Sequence, residues 1–405
     1  MPACAKMSIT PTITAFAPSK DTPLLLNFNE NSLGMSPKAK KAILDSLDLS
    51  LRYPDSQREA LVDELARVNG VNTNQLSIGN GSSENIQAFV QAIYTQALQN
   101  KQAFQLVVPD PTFNYAELHA NALGAKVVKV PVNAKDFGFD IAKMQKVAND
   151  FDGVTLFYLC NPNNPTGTIT PKNTLSHWVN NAPKNHYFLL DEAYGEYVAN
   201  PNFESGLAFI KQGNPNVLVA KTFSKIYALA GLRIGYAIGS KELIELTERF
   251  MSLDNTNLSG AVASLASLQD TEFLEYSRLS NLRSRQIVET TLKELKLKYA
   301  ESNGNFIFHE IKGDVKTYQE RMKERHIFVG RAFPPIDGYN RLTLGTPEEM
   351  VAFVKVLKEF RKKGVGVTLT DRFLTSAQFL RPIFSFEKLS FDYLKKLNKM
   401  LVYWY

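Results

Sequence analysis

Cysteine is nearly absent. Cys4 and Cys160 are the only two in 405 residues, too few for a disulfide framework, and no histidine stands at a spacing that would join them in a metal site. The five histidines, His119, His177, His186, His309 and His326, form no HExxH-type pair and read as structural or surface residues. Long apolar runs are missing too. None approaches the roughly 18 residues of a membrane span, and no apolar run of signal length follows Lys6, so the expected compartment is the cytoplasm. Charge of one sign is not concentrated: 46 basic and 40 acidic side chains leave a net +6, without the block of like charges that marks a nucleic-acid arm. Internal repeats and low-complexity segments are also lacking. What remains, with 44% hydrophobic and 21% charged residues, is the composition of an ordinary globular chain, long enough for a large core in two lobes.

Residues 1–30 carry Pro2, Pro11, Pro18 and Pro23 and little periodicity, which predicts an extended arm. Helical spacing begins over 37–49 and 57–69, with Ser36 and Asp55 as candidate caps. The middle then alternates. Short apolar runs at 105–108, 126–132, 153–160, 186–190, 216–220 and 235–238 predict buried strands, and 83–99, 113–123 and 171–181 predict helices between them. The alternation predicts an α/β fold of three layers, α/β/α, around a mostly parallel sheet. Beyond Ser240 a long helical stretch, about 241–297, precedes predicted strands at 305–310, 327–331 and 341–344, a smaller α+β region. The expected division is an arm over 1–30, a large domain over 31–260, a small domain over 261–363 and an extension over 364–405. In that extension Phe386, Leu389, Tyr393, Leu397, Met400 and Trp404 recur at steps of three and four, which predicts a helix packed on the small domain.

The stretch KTFSKIYALAGLRIG, residues 221–235, sets Lys225 among small hydroxyl residues and ahead of Arg233. A lysine so placed suits covalent capture of an aldehyde cofactor, with Thr222, Ser224 and Arg233 left to hold a phosphate. GNGSSENI, residues 79–86, puts a glycine turn before a predicted helix, where the backbone N–H groups of Ser82 and Ser83 and the helix dipole favour an anion. Asp191 follows the apolar run HYFLL, so its carboxylate would emerge at the C-terminal end of a strand, where ligands sit in such sheets. NPNNPTG, residues 161–167, and DEAYGEY, residues 191–197, complete the set.

Together these motifs resemble the fold-type I pyridoxal-phosphate aminotransferases of class I and II, and among them the histidinol-phosphate aminotransferase subgroup, over about residues 26–363. The resemblance implies pyridoxal 5′-phosphate as cofactor and transfer of an amino group from an L-amino acid or amino-alcohol phosphate to a 2-oxo acid such as 2-oxoglutarate. It also implies roles. Lys225 would anchor the cofactor and shuttle the proton, Asp191 would pair with the protonated ring nitrogen, and Tyr194 and Asn164 would donate to the ring oxygen. Ser82, Ser83, Thr222, Ser224 and Arg233 would hold the phosphate, with Phe113 stacked on the ring. Arg341 and a second arginine, Arg331, would grip the substrate's carboxylate or phosphate, and Asn29, in NFNENSLG, would join them at the site entrance. Tyr53, in LRYPDSQ, matches a tyrosine that reaches the phosphate of a neighbouring subunit, which implies a homodimer with shared active sites. The implied partners are small molecules, not nucleic acid or a membrane.

Three features depart from the family pattern. The arm has no counterpart of the family's substrate-contacting tyrosine, its nearest aromatic being Phe16, which cannot hydrogen-bond a phosphate. Phe113 stands where the subgroup often has tyrosine, and the extension lies beyond the family's usual end. Because the cofactor carries the chemistry and the protein selects the bond that aligns with it, decarboxylation, elimination or cyclisation of a modified amino acid stays open as an alternative. A non-catalytic amino-acid-sensing module is a further one, against which the roughly 30-residue arm is short for a DNA-binding domain.

Overall fold

The computed structural model describes residues 16–361. The described strands are β1 (Leu24–Leu26), β2 (Leu76–Asn80), β3 (Phe104–Asp110), β4 (Lys126–Pro131), β5 (Val154–Cys160), β6 (His186–Asp191), β7 (Val217–Thr222), β8 (Ile234–Ile238), β9 (Phe306–Glu310), β10 (Ile327–Val329) and β11 (Tyr339–Thr343). Seven of them form one sheet in the order β2-β8-β7-β6-β5-β3-β4. From β4 to β7 neighbouring strands run parallel, whereas β8 is antiparallel to both β2 and β7.

The period-2 alternation of these strands makes two cores. Val107, Phe157, Leu159, Phe188, Leu190, Val217 and Val219 point to one face, where residues of the helices Asp55–Asn69, Ile141–Asn149, Lys172–Asn180 and Leu258–Leu268 cover them. Their neighbours Leu106, Val108, Leu156, Tyr158, Leu189, Leu218 and Ala220 point to the other, under the helices Ser82–Gln99, Tyr115–Ala122 and Lys241–Glu248. Strands buried on both faces must be apolar almost throughout, which is why the interior strands β5, β6 and β8 are visible as apolar runs, whereas the edge strand β4, KVVKVP, is largely exposed. The result is the expected three-layer fold.

A third core lies around the short β1-β10 and β9-β11 pairs. The helices Thr271–Glu294, Val315–Lys323 and Pro347–Arg361 pack there through Val288, Leu292, Met322 and Phe353. The arm joins this core. Leu24 and Leu26 are buried as β1 pairs in parallel with β10, and Phe16 packs against the same cluster.

Three expectations change. The stretch 241–297 is broken into the helices Lys241–Glu248, Leu258–Leu268 and Thr271–Glu294, because Asn257 and Asp270 each accept a backbone N–H as a fresh N-cap. Ser36 caps its helix through Ala39 N at 3.1 Å, but Asp55 is the first helical residue after Pro54 and caps nothing. Strand β2 lies just before the glycine turn, where no strand was expected. The predicted helix of the 364–405 extension, Cys4 and the first half of the arm lie outside the described residues. Among the described residues no helix is long and apolar enough to cross a membrane.

Candidate active site

Strands β5, β6 and β7 end side by side: Cys160 is in register with Asp191, and Asp191 with Ala220. The three motif loops therefore leave the sheet at the C-terminal ends of its parallel strands, and the antiparallel β8 begins there beside Arg233, with Gly235 opposite both Thr222 and Gly79. Asp191 is buried. Its Oδ2 accepts the Tyr158 hydroxyl at 2.7 Å and its Oδ1 the Ala193 N–H at 3.2 Å. Burial lifts its pKa to about 6, against the lowering effect of those two donors and of the Lys225 charge. Tyr158 was not singled out in the sequence. Its one signal is a polar tip on the same strand face as Cys160, beside the end of β6.

The motif KTFSK holds two lysines in opposite circumstances. Lys221 Nζ is buried on the far side of the sheet, 2.9 Å from Glu196 Oε1 and 3.2 Å from Glu192 Oε2. Burial disfavours its charge, but the two carboxylates together hold its pKa well above the usual lysine range. Glu192 also accepts Ser205 Oγ and Gly206 N, each at 2.6 Å. Lys225 has no such partner. Its Nζ donates to Phe28 O at 3.2 Å and lies 5.7 Å from the Tyr194 ring centre. Burial first, then the charges of Arg341 and Arg233, bring its pKa down to about 8, with Glu30 and Asp191 opposing. One lysine is locked as an ammonium, and the other keeps a free amine within reach at neutral pH.

Tyr194 is buried between the two lobes of the site. Its hydroxyl oxygen accepts Asn29 Nδ2 at 3.0 Å and Asn164 Nδ2 at 3.3 Å, and burial raises its pKa. Asn164 Oδ1 in turn accepts Arg341 Nη1 at 2.7 Å, and Arg341 Nη2 donates to Asn27 O at 2.5 Å. Arg341 is buried with its Nε unpartnered. Burial, aided by the nearby Arg331 charge and opposed by Tyr194, lowers its pKa to about 10, so it stays cationic at neutral pH. Arg331 is exposed, and both guanidinium groups flank the Phe333 ring, at 4.4 Å for Arg331 and 5.0 Å for Arg341.

On the other side of Lys225 lies a ring of hydroxyls and backbone. Arg233 donates to Ser83 Oγ at 3.1 Å, Ser224 Oγ at 3.5 Å and Ala230 O at 3.1 Å, while Thr222 Oγ1 donates to Ser224 Oγ at 2.9 Å. The helix Ser82–Gln99 starts here behind Gly81, whose φ is +73°. A Cβ on Gly81 would meet the Arg233 guanidinium at 2.2 Å, and one on Gly235 would meet Ser82 N at 2.0 Å. Only glycine lets these backbones approach, and the approach leaves the helix N-terminus beside Arg233.

The structure thus brings Lys225, Asp191, Tyr194, Asn164, Asn29 and Arg341 together, with Ser82, Ser83, Thr222, Ser224 and Arg233 adjoining. Phe113 and Tyr53 are not hydrogen-bonded into the set: Phe113, in the loop after β3, stacks on Tyr115 at 4.7 Å, and Tyr53 is 76% exposed before the helix Asp55–Asn69. Both amide ends of Asn29 are engaged inside the protein, with Tyr194 and Thr343. Sequence reasoning also missed Thr343 and Asn305, which donate to Asn29 from far along the chain.

The donor set fits pyridoxal 5′-phosphate. A free amine, a buried carboxylate in need of a cationic partner, a phenol with both oxygen lone pairs filled and a glycine-lined helix N-terminus meet its aldehyde, ring nitrogen, ring oxygen and phosphate. Two cations, Arg233 and Arg341, have no carboxylate within salt-bridge distance among the described residues, so the site presents positive charge for two anions.

Comparisons with known proteins agree. A match to the family described as "Aminotransferase class I and II" spans residues 21–357. A histidinol-phosphate aminotransferase of Moorella thermoacetica is 34% identical over 333 residues, 82% of this chain and 83% of that protein. One from Brevibacillus brevis is 36% identical over 335 residues, 82% of this chain and 88% of that protein. A crystal structure from Erwinia carotovora atroseptica superimposes with a TM-score of 0.83 at 41% identity, covering 86% of this chain and 99% of that one. Motifs, fold, donor set and relatives converge: the chain belongs to the class I and II aminotransferases, enzymes that depend on pyridoxal 5′-phosphate.

Proposed function

We propose that this aminotransferase takes its amino group from an L-amino acid or an amino-alcohol phosphate of the histidinol-phosphate kind and passes it to a 2-oxo acid, with 2-oxoglutarate the natural choice. Arg341 carries the reading. A buried guanidinium with an unpartnered Nε and no carboxylate partner suits the carboxylate that amino and oxo acids share, or a phosphate in its place. The relatives named above direct the choice of donor.

Pyridoxal phosphate supplies an aldehyde for the incoming amine and an electron sink for the carbon that loses its proton. The residues do the rest. Lys225 would hold the aldehyde, and its amine, with a pKa brought down to about 8 in the empty site, is the group placed to accept the proton of the substrate carbon and give it back. Asp191, ionised above about pH 6, keeps the ring nitrogen protonated. Tyr194 and Asn164 serve the ring oxygen, and Ser82, Ser83, Thr222, Ser224 and Arg233 the phosphate. Phe113 is assigned the ring face, with Arg331 and Asn29 at the substrate end. The test is an absorbance titration of the loaded protein with amino acids and histidinol phosphate, followed by 2-oxoglutarate. Loss of the cofactor's visible band that the oxo acid restores, with glutamate formed, supports the reading. Irreversible loss with release of carbon dioxide or an eliminated group would replace it with a decarboxylase or lyase.

Tyr53 has its role only in a homodimer. Leu44, Leu47, Leu49 and Leu51, which precede it, are all exposed, Leu51 to 74%, an apolar strip suited to a second copy of the chain. Light scattering at micromolar concentration should give a dimer mass, and the double variant Leu47→Asp/Leu51→Asp a monomer with weakened cofactor retention. A wild-type monomer would remove the shared site. The boundary expected near residue 260 falls inside the helix Leu258–Leu268, which packs on the sheet core, so we place it after that helix, and the protein in the cytoplasm.

A further inference from the structure

Two chains of hydrogen bonds end on the Tyr194 hydroxyl, and each begins at a group that can only donate. In the first, the Asn29 backbone N–H donates to Thr343 Oγ1 at 2.9 Å. The threonine then turns its own proton to Asn29 Oδ1 at 3.1 Å, which leaves the amide nitrogen of Asn29 on the Tyr194 oxygen. In the second, the Arg341 guanidinium donates to Asn164 Oδ1, which leaves Asn164 Nδ2 on the same oxygen. The two ends of an amide are alike in shape and differ in protons; the donor-only guanidinium fixes the Asn164 amide, and the Thr343 proton, whose one acceptor among the described residues is Asn29 Oδ1, fixes the other.

The consequence falls on Tyr194. A phenol oxygen accepts two hydrogen bonds and donates one, and both acceptor positions are taken. Its proton must leave in a third direction. Arg341 and Thr343 are alternate residues of β11, so they share a strand face, while Leu342 between them enters the third core. One strand therefore polarises both amides. Thr343 and Asn29 are fully buried, so water is not at hand to substitute for either.

We propose that Thr343 is a positioning residue: by holding the Asn29 amide with its nitrogen toward Tyr194, it makes the Tyr194 hydroxyl an obligate donor to the cofactor's ring oxygen. The proposal rests on the reading that Tyr194 serves that oxygen. Without the threonine proton the Asn29 amide is free to turn over, and its oxygen then accepts the Tyr194 proton and withdraws it from the cofactor. Donation to the ring oxygen stabilises its anionic form, so the loaded protein gives up its spectroscopically visible proton at lower pH.

The experiment follows the pH midpoint of the visible absorbance change of the cofactor-loaded protein, without substrate. Thr343→Val, which keeps shape and removes the hydroxyl, is expected to raise the midpoint by about one pH unit, the scale of one hydrogen bond to a charged group. Thr343→Ser should keep the wild-type midpoint, and Thr343→Val added to Tyr194→Phe should give no further shift. If Thr343→Val does not fold, Asn29→Asp puts an acceptor against Tyr194 in either orientation, and its shift should be larger with Tyr194 present than in the Tyr194→Phe background. A loaded Thr343→Val protein with an unmoved midpoint, or with the same shift in both backgrounds, overturns the proposal alone. A wild-type protein that takes up no pyridoxal phosphate overturns the site reading and the proposal with it.

Discussion

Lys225→Ala should abolish covalent capture of the cofactor: after borohydride reduction no pyridoxyl group should be found on any peptide, and transamination should fall by at least roughly three orders of magnitude. The fold should survive, because the lysine's one hydrogen bond is to Phe28 O and its ammonium gains nothing from burial. Lys221 is the control, four residues away in the same motif. Lys221→Ala would strand Glu192 in the interior, where it is nearly inaccessible to water, and removal of one partner of a buried pair costs about 3–5 kcal/mol. The two variants should separate cleanly in denaturant titrations and in peptide mapping. The Lys225 variant keeps its unfolding midpoint and loses the label, whereas the Lys221 variant loses stability and, while folded, keeps the label on Lys225. A label that persists in Lys225→Ala would end the assignment of the anchor.

What made these residues legible was their locality. The anchor and Asp191 each sit in a short motif, the phosphate ring is shared between only two such motifs, 79–86 and 221–235, and the central sheet strands are apolar on both faces, so their runs stand out. Strand β2 did not. LSIGN is five residues with a glycine and a serine, and it becomes a strand through its pairing with β8, where Gly79 faces Gly235. β1 is three residues in a proline-flanked arm, and its partner β10 lies some 300 positions away. The same distance hides Thr343 and Asn305. Threonine on a strand and asparagine before one are unremarkable until the fold sets them on Asn29. Tyr158 is an intermediate case: the alternation that places Cys160 beside Asp191 also places Tyr158 on that face, but only the observed register makes the contact.

Asp191→Asn should trade activity for stability, with a sign set by pH. In the protein without cofactor, burial raises the Asp191 pKa from 3.8 to about 6. Between those values the folded chain holds a proton that the unfolded chain has released. The stability this group contributes is therefore fully present below about pH 4 and is lost as pH rises through about 6, an amount on the order of 2–3 kcal/mol. Asparagine does not titrate. Urea unfolding of the two cofactor-free proteins at pH 4, 5, 6 and 7 should thus show the variant gaining on the wild type as pH rises, and parallel curves would refute the buried-carboxylate account. Activity should move the other way, down by roughly two to three orders of magnitude, because the charge that keeps the ring nitrogen protonated is gone. Added pyridoxal phosphate should then narrow or reverse the stability difference. A ligand stabilises the folded state in proportion to its affinity, and the wild type alone offers the ring nitrogen a buried anion. The carboxylate that costs the empty protein stability is the one that the cofactor's positive charge stabilises, and the midpoints measured with and without cofactor, as a function of pH, separate the two effects.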